Sequence, residues 1–283
     1  IFKQLAEAYR KIRNTARYIL GNISDFNPDT DAVAPEQLTE LDKWAYGRLD
    51  EVIREAKSGY EAFDFHVAFH AVLNFCTVDM SSFYLDIIKD RLYCENKESV
   101  LRRAAQTTIY DILTAVVRLI SPILVFTSEE IWQHMPVRAG LDKGSVFYND
   151  MPELTGIQVA APEKWATLAQ VRSAVQKALE EKRAAKVFGK SLEAKVVLTC
   201  DGELYDVLSS MEEQLADLFI VSQVEVVKGA AESTGEVEGL AVEALRAEGG
   251  KCERCWKVLP TVGSDAEHPT LCPRCAGVVK SLL

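Results

Sequence analysis

The 283-residue sequence lacks any uninterrupted apolar run near the ~20 residues that a membrane-crossing helix needs. It also lacks a glycine-rich phosphate loop. "VFGKSLEAK" carries Gly189-Lys190-Ser191 but not the earlier glycine of a P-loop, and reads as a turn into a strand. Histidine occurs only at positions 66, 70, 134 and 268, and no nucleophile has a convincing base nearby in the sequence. Positive charge is short as well. The 32 Lys and Arg face 42 Asp and Glu, a net charge of −10 that argues against general nucleic-acid affinity. The opening "IFKQLAEAYRK" is helical in period and carries no secretory or transit pattern, so a reducing cytoplasm and no membrane association are expected. It begins with Ile in place of Met, as a segment cut from a longer protein would.

Charge is unevenly spread. Residues 1–154 hold 17 basic and 23 acidic groups, and residues 155–249 hold 10 and 16. Residues 250–283 hold 5 and 3, the only net-positive segment. The length suits more than one domain. Residues 1–20 form a helix with Leu5, Tyr9, Ile12, Ala16 and Ile19 on one stripe, ended by Gly21. Helices over about 38–58, 61–90 and 97–121 follow, with Pro122 after the last. "FTSEEIWQHM" has a capping-box pattern, Thr127 with Glu130. Residues 1–154 are therefore expected to be a helical bundle. After a Gly- and Pro-rich loop the rhythm changes: a helix over 162–186, the strand "LEAKVVLTC", helical "GELYDVLSSMEEQLADLF", the strand "IVSQVEVV" and a third candidate, "LAVEAL". Residues 155–249 read as a small α+β unit and 250–283 as a cysteine-bearing tail. The fold class is mainly α.

Seven cysteines do not make a disulfide framework here. Cys76, Cys94 and Cys200 stand singly in apolar surroundings and read as buried small hydrophobes. Cys252-x-x-Cys255 and Cys272-x-x-Cys275 match a zinc spacing. Two intervening residues let one tight turn aim both sulfurs at a point ~2.3 Å from a metal. Two such turns close a tetrahedron, leaving no open position for water, so one structural zinc is expected. The stretch between the pairs is poor in apolar residues, so the metal would supply its folding energy. His268 is a minor candidate for the same shell. His66 and His70 are spaced i,i+4 as zinc ligands can be. Val67, however, stands where a metalloprotease would have Glu, and the pair reads as core or buried-polar histidine.

Two features admit two readings each. Trp256 follows the second thiol amid Lys251, Arg254 and Lys257, with Arg274 in the other pair. An indole among cations suits an unstacked RNA base and its phosphates, or else anchors the tail by packing. Arg10, Arg13, Asn14 and Arg17 share a wedge of the first helix with Lys3. That wedge is either a solvated face, paired with Glu7 and Asp25, or a set of bidentate phosphate contacts.

"RKIRNTARYILGN", "FHAVLNFCTVDMSSFYLDIIKDRLY", "FTSEEIW", "SLEAKVVL" and "CERCW…CPRC", in this order, resemble the C-terminal part of the bacterial isoleucyl-tRNA synthetases, a family of class I aminoacyl-tRNA synthetases. "FTSEEIW" is shared with the valine and leucine enzymes; "RNTARY" and "CERCW" are more particular. Val125 stands where the family often has proline. The resemblance implies an anticodon-binding helical domain, a following α+β unit, and a zinc ribbon or knuckle that also contacts the anticodon region of isoleucine tRNA. It implies loop contacts from Arg10, Arg13, Asn14 and Arg17, weaker ones from Lys89 and Arg91 (whose alternative is pairing with Asp86 and Asp90), and a clamp of Trp256 with Lys251, Arg254 and Arg274. Trp44 and Trp132 are left to the core. Adenylate chemistry in the family uses ATP on a domain with His-x-Gly-His and Lys-Met-Ser-Lys-Ser motifs, and neither occurs in this sequence. The segment is thus expected to be inactive alone, to work in cis with catalytic and editing domains, and to be monomeric. A stand-alone zinc-ribbon module that docks protein is the other reading, kept open by the acidic charge; a hydrolase built on His66 and His70 is a third.

Overall fold

A computed structural model describes residues 2–233 and 237–282. The chain divides into two compact units, Ile1–Ala160 and Ala161–Leu283.

The first unit is helical. Helix α1 (Phe2–Asn22) buries Ile12, Thr15, Ala16 and Ile19, the 3.6-residue stripe read from the sequence. Its first turns break that pattern: Leu5, expected in the core, is 54% exposed, because the stripe meets its neighbours only from the third turn on. The helix runs one residue past Gly21 and closes on Asn22, whose amide donates to the Tyr18 carbonyl at 2.8 Å. Helix α2 (Glu40–Glu61) starts on a capping box in which Thr39 Oγ1 accepts from the Asp42 amide, and the Asp42 carboxylate accepts from the Thr39 amide.

The apolar stretch read as one helix is segmented. Helix α3 (Phe65–Asn74) passes into a π-helical stretch, Phe75–Tyr84, then α4 (Leu85–Ile87) and α5 (Lys89–Cys94). The hydroxyls of "CTVDMSS" account for the widening. Ser81 and Ser82 each donate to the carbonyl five residues back, at 2.8 Å, competing with the α-helical ladder. By length and composition Phe65–Cys94 could cross a membrane, yet half of its apolar window is buried inside the unit, as in the core helix of a bundle.

Helix α6 (Val100–Ile120) is buried on nearly every side and forms the centre of the unit. Helix α7 (Val125–His134) begins two residues before Thr127, so the expected capping box does not form. The amides of Ile123 and Leu124 bond to the Ile120 carbonyl, and the chain turns directly from α6 into α7. Thr127 instead bonds Tyr9 across the bundle at 3.2 Å. Val125 occupies the first helical position, where proline is also well tolerated, so its departure from the family pattern leaves the turn intact. Trp132 is buried and its indole N–H donates to Asp142, while Trp44 is half-buried against Phe83.

The second unit opens with α8 (Pro162–Ala184), which buries Trp165, Leu168, Val171, Val175 and Leu179 along one stripe. Strand β1 (Ala194–Cys200) is central, with Ala194, Val196, Leu198 and Cys200 turned inward in strict alternation. It pairs in parallel with β2 (Gln223–Lys228) and antiparallel with β3 (Ala241–Arg246). The parallel crossover is made by α9 (Gly202–Ser209) and α10 (Glu212–Phe219). The two-residue strands β4 (Gly250–Lys251) and β5 (Val258–Leu259) pair antiparallel, and α11 (Pro273–Lys280) closes the chain. Gly249, at φ +111°, passes against Leu259 and Pro260 where an added Cβ would lie 2.3 Å from backbone; only glycine fits.

Candidate metal centre and nucleic-acid interface

The two Cys-x-x-Cys turns bring four buried sulfurs together. The Sγ atoms of Cys252, Cys255, Cys272 and Cys275 lie within 4.8 Å of one another, with Cys255 and Cys272 at 3.9 Å. A tetrahedron with ~2.3 Å metal–sulfur bonds has edges of about 3.8 Å, so the donor set fits a zinc ion and the separation is far too long for a disulfide. The local fold supports the convergence. Cys252 N–H donates to the Lys257 carbonyl and Trp256 N–H to the Cys252 carbonyl, both at 2.9 Å, closing the first knuckle. Cys272 is the N-cap of α11, with Pro273 at the first helical position. Burial alone would raise the Cys252 thiol; the amides of Cys255, Cys272 and Arg254 outweigh it and bring the thiol down to about 6. Burial pushes the Cys255 thiol up. Arg254 Nη1 reaches Cys275 Sγ at 3.8 Å, partly offsetting the negative charge that four thiolates would gather. His268 lies outside the cluster.

The tail is tied to the rest of its unit by polar contacts. Lys257 pairs with Asp217 of α10. The Val258 amide donates to Ser222 Oγ at 2.7 Å, and Gln223 Nε2 to the Val258 carbonyl at 3.0 Å. Lys280 bridges Asp265 and Glu267 at 2.7 and 2.8 Å, closing the loop between the cysteine pairs onto α11.

Trp256 contributes little to that packing: it is 57% exposed. Its backbone sits at φ +65°, the left-handed conformation that closes the knuckle and that glycine or asparagine adopts far more readily. Neither turn geometry nor burial explains an indole there. Lys190, 66 residues earlier, places its ammonium 5.6 Å from the ring centroid. Lys251 is exposed on β4, while Arg254 and Arg274 are half-buried beside the cluster.

In the first unit, Arg10, Arg13, Asn14 and Arg17 are all exposed on α1. Among the described residues none of the three arginines has an ion-pair partner. Asp25, the carboxylate expected for them, pairs with Arg102 at 2.9 Å. Lys89 is exposed and pairs with Asp86 at 2.6 Å, as the alternative reading held. Arg91, expected as an RNA contact, is turned inward. Its guanidinium lies 3.0 and 3.1 Å from the two oxygens of Asp42, which is fully buried and also accepts from Tyr84 at 2.6 Å. The side chain of Arg91 is 13% exposed and anchors the α2 cap to α5. His66 and His70, expected in the core, are both exposed. The stripe that α3 buries runs through Ala68, Ala71 and Val72, on the other side of the helix.

The helical unit thus presents three arginines without ion-pair partners among the described residues, and the second unit a four-cysteine cluster beside an exposed indole. The family model described as the anticodon-binding domain of tRNA ligase matches residues 42–198, more than half of the chain, and the chain belongs to that family. A second model, a zinc finger found in FPG and IleRS, matches residues 249–277 and spans all four cysteines. Among curated relatives, the isoleucine–tRNA ligase of Desulforamulus reducens is 50% identical over 286 residues, covering 99% of this chain and 31% of that protein. That of Syntrophotalea carbinolica is 49% identical over 284 residues (99% and 30%), and that of Bacillus cytotoxicus 46% over 285 (99% and 31%). The chain thus spans about 30% of the length of the relatives it matches.

Proposed function

We propose that this chain is the C-terminal, tRNA-recognition portion of an isoleucine–tRNA ligase, the cytoplasmic and monomeric enzyme of protein synthesis that attaches isoleucine to its tRNA using ATP. Adenylate formation and editing belong to other domains of that polypeptide. Residues 1–154 act as the anticodon-binding helical domain, 155–249 as a connecting α+β unit, and 250–283 as the zinc tail. Anticodon bases are single-stranded and splayed, so protein reads them by stacking and by hydrogen bonds to their edges. Arg10, Arg13, Asn14 and Arg17 contact the loop and its phosphates, with Lys89 at their margin. Trp256 stacks on a base, with Lys190, Lys251, Arg254 and Arg274 at the neighbouring phosphates. Cys252, Cys255, Cys272 and Cys275 hold one zinc ion, whose part is to fold the tail and fix the indole; it performs no chemistry on substrate.

The observation that carries this reading is Trp256: an exposed indole, under a lysine, at a backbone position suited to glycine. Binding energy gathered here, far from the reacting atoms, then contributes to choosing the tRNA that is charged. Titration against isoleucine tRNA at increasing salt tests it. Phosphate contacts require the logarithm of affinity to fall linearly with that of salt, at about −0.7 per single-stranded contact. A salt-independent association would instead mark a protein-docking zinc ribbon.

A further inference from the structure

Beside the arginine stripe stands an aromatic side chain that composition and periodicity did not single out. On α1, Arg10, Asn14 and Tyr18 form one row at i, i+4 and i+8, so each lies about one turn, ~6 Å, from the next. Tyr18 is half-buried at the end of that row, and the hydroxyl of Tyr93 on α5 donates to the Tyr18 hydroxyl at 3.3 Å. Tyr93 is 57% exposed, while its neighbours Leu92 and Cys94 are buried and hold the short helix in place. Lys89 lies one turn before Tyr93 on the same face.

A single exposed tyrosine is ordinary. This one differs in three ways. Its hydroxyl meets that of Tyr18 at 3.3 Å, a long contact that biases the ring toward one orientation before any ligand arrives and so lowers the cost of ordering it on binding. The ammonium of Lys89, paired with Asp86, lies one turn before it. The row Arg10–Asn14–Tyr18 leads to it from arginines that have no acidic partner among the described residues. We infer that Tyr93, braced by Tyr18 and flanked by Lys89, is the stacking seat for one unpaired nucleobase of the RNA loop held by α1, with the Asn14 amide one turn away to meet a base edge. This rests on the reading of α1 as an RNA-binding helix. Every base has a π face, so the seat itself tolerates any base and the edge contact supplies the preference.

The test uses the full chain, zinc-loaded, and isoleucine tRNA anticodon hairpins carrying 2-aminopurine at one loop position at a time. Stacking on tyrosine quenches this fluorophore. One position is expected to be quenched by the wild type and, less completely, by Tyr93→Phe, which keeps the ring but loses the contact with Tyr18. Tyr93→Leu should restore its fluorescence and weaken binding roughly 5- to 150-fold, the range of one base–aromatic stack (about 1–3 kcal/mol). Tyr93→Ser, more soluble, should behave as Tyr93→Leu, and both should keep the helical circular dichroism of the wild type. Equal quenching and affinity in wild type and Tyr93→Leu, with Arg13→Ala still weakening binding, would overturn the seat and leave the helix reading standing. Unchanged binding by Arg13→Ala and Arg17→Ala as well would overturn both.

Discussion

Arg91 and Arg13 are both cationic residues of the helical unit, yet, with Arg91 buried against Asp42 and Arg13 proposed as an RNA contact, opposite consequences of losing them are expected. Asp42 is fully buried and accepts from Arg91 at 3.0 and 3.1 Å, Tyr84 at 2.6 Å and Thr39 at 2.7 and 3.0 Å. Removing one partner of such a buried pair costs about 3–5 kcal/mol, because an uncompensated charge is left behind. Three hydrogen-bonding groups on Asp42 survive in Arg91→Ala, which places the loss near 3 kcal/mol. For a unit of this size that lowers the melting temperature by about 6–12 °C. Affinity for isoleucine tRNA, measured well below the melt, should stay within about twofold. Arg13→Ala should do the reverse: an unchanged melt, weaker binding, and a salt dependence shallower by about one phosphate contact. Thermal melts by circular dichroism and fluorescence-anisotropy titrations at three salt concentrations give both quantities. If Arg91→Ala left the melt in place and weakened binding, the inward placement of Arg91 would be refuted.

Cys252→Ser should abolish stoichiometric zinc by elemental analysis and unfold the tail, while the first unit keeps its own transition; unchanged zinc content would reject the four-thiolate site. Trp256→Ala should weaken tRNA binding by about 1–3 kcal/mol with little change in stability, since the ring is mostly exposed. Equal affinity would make the indole a bystander. Asp25 is held below the usual carboxylate value of 3.8, first by its hydrogen bond from Arg102 and further by Gln106. A depressed carboxylate contributes stability that is fully present above its unfolded pKa and is lost as pH falls through the folded value. The first unit should therefore weaken below about pH 4, and Asp25→Asn should flatten that dependence; an unaltered acid limb in the variant would contradict it.

The features legible in the sequence were those with a period or a fixed spacing. The stripe Ile12–Ala16–Ile19, the alternation Ala194–Val196–Leu198–Cys200 and the two Cys-x-x-Cys pairs each encode their geometry locally, and each appears as read. What escaped depends on partners distant in the chain. Arg91 meets Asp42 across 49 residues and Lys190 meets Trp256 across 66; Tyr93 meets Tyr18 across 75. No window of sequence holds both members of such a pair. The π-helical stretch was missed for another reason. Its serine-to-carbonyl bonds five residues back occur alongside the burial of Phe75, Cys76, Met80 and Tyr84, and no local period announces that combination. Likewise Thr127 has a cap's spacing from Glu130, but the turn after Pro122 starts α7 too early for it to serve as one.

The claim beneath all of this is that the chain distinguishes RNA loops. Its most direct test is the affinity of the zinc-loaded chain for an isoleucine tRNA transcript against the same transcript with its anticodon letters exchanged, at one salt concentration. Tighter binding of the cognate transcript is expected, by about tenfold or more, some 1.4 kcal/mol. Equal dissociation constants for the two transcripts would contradict it.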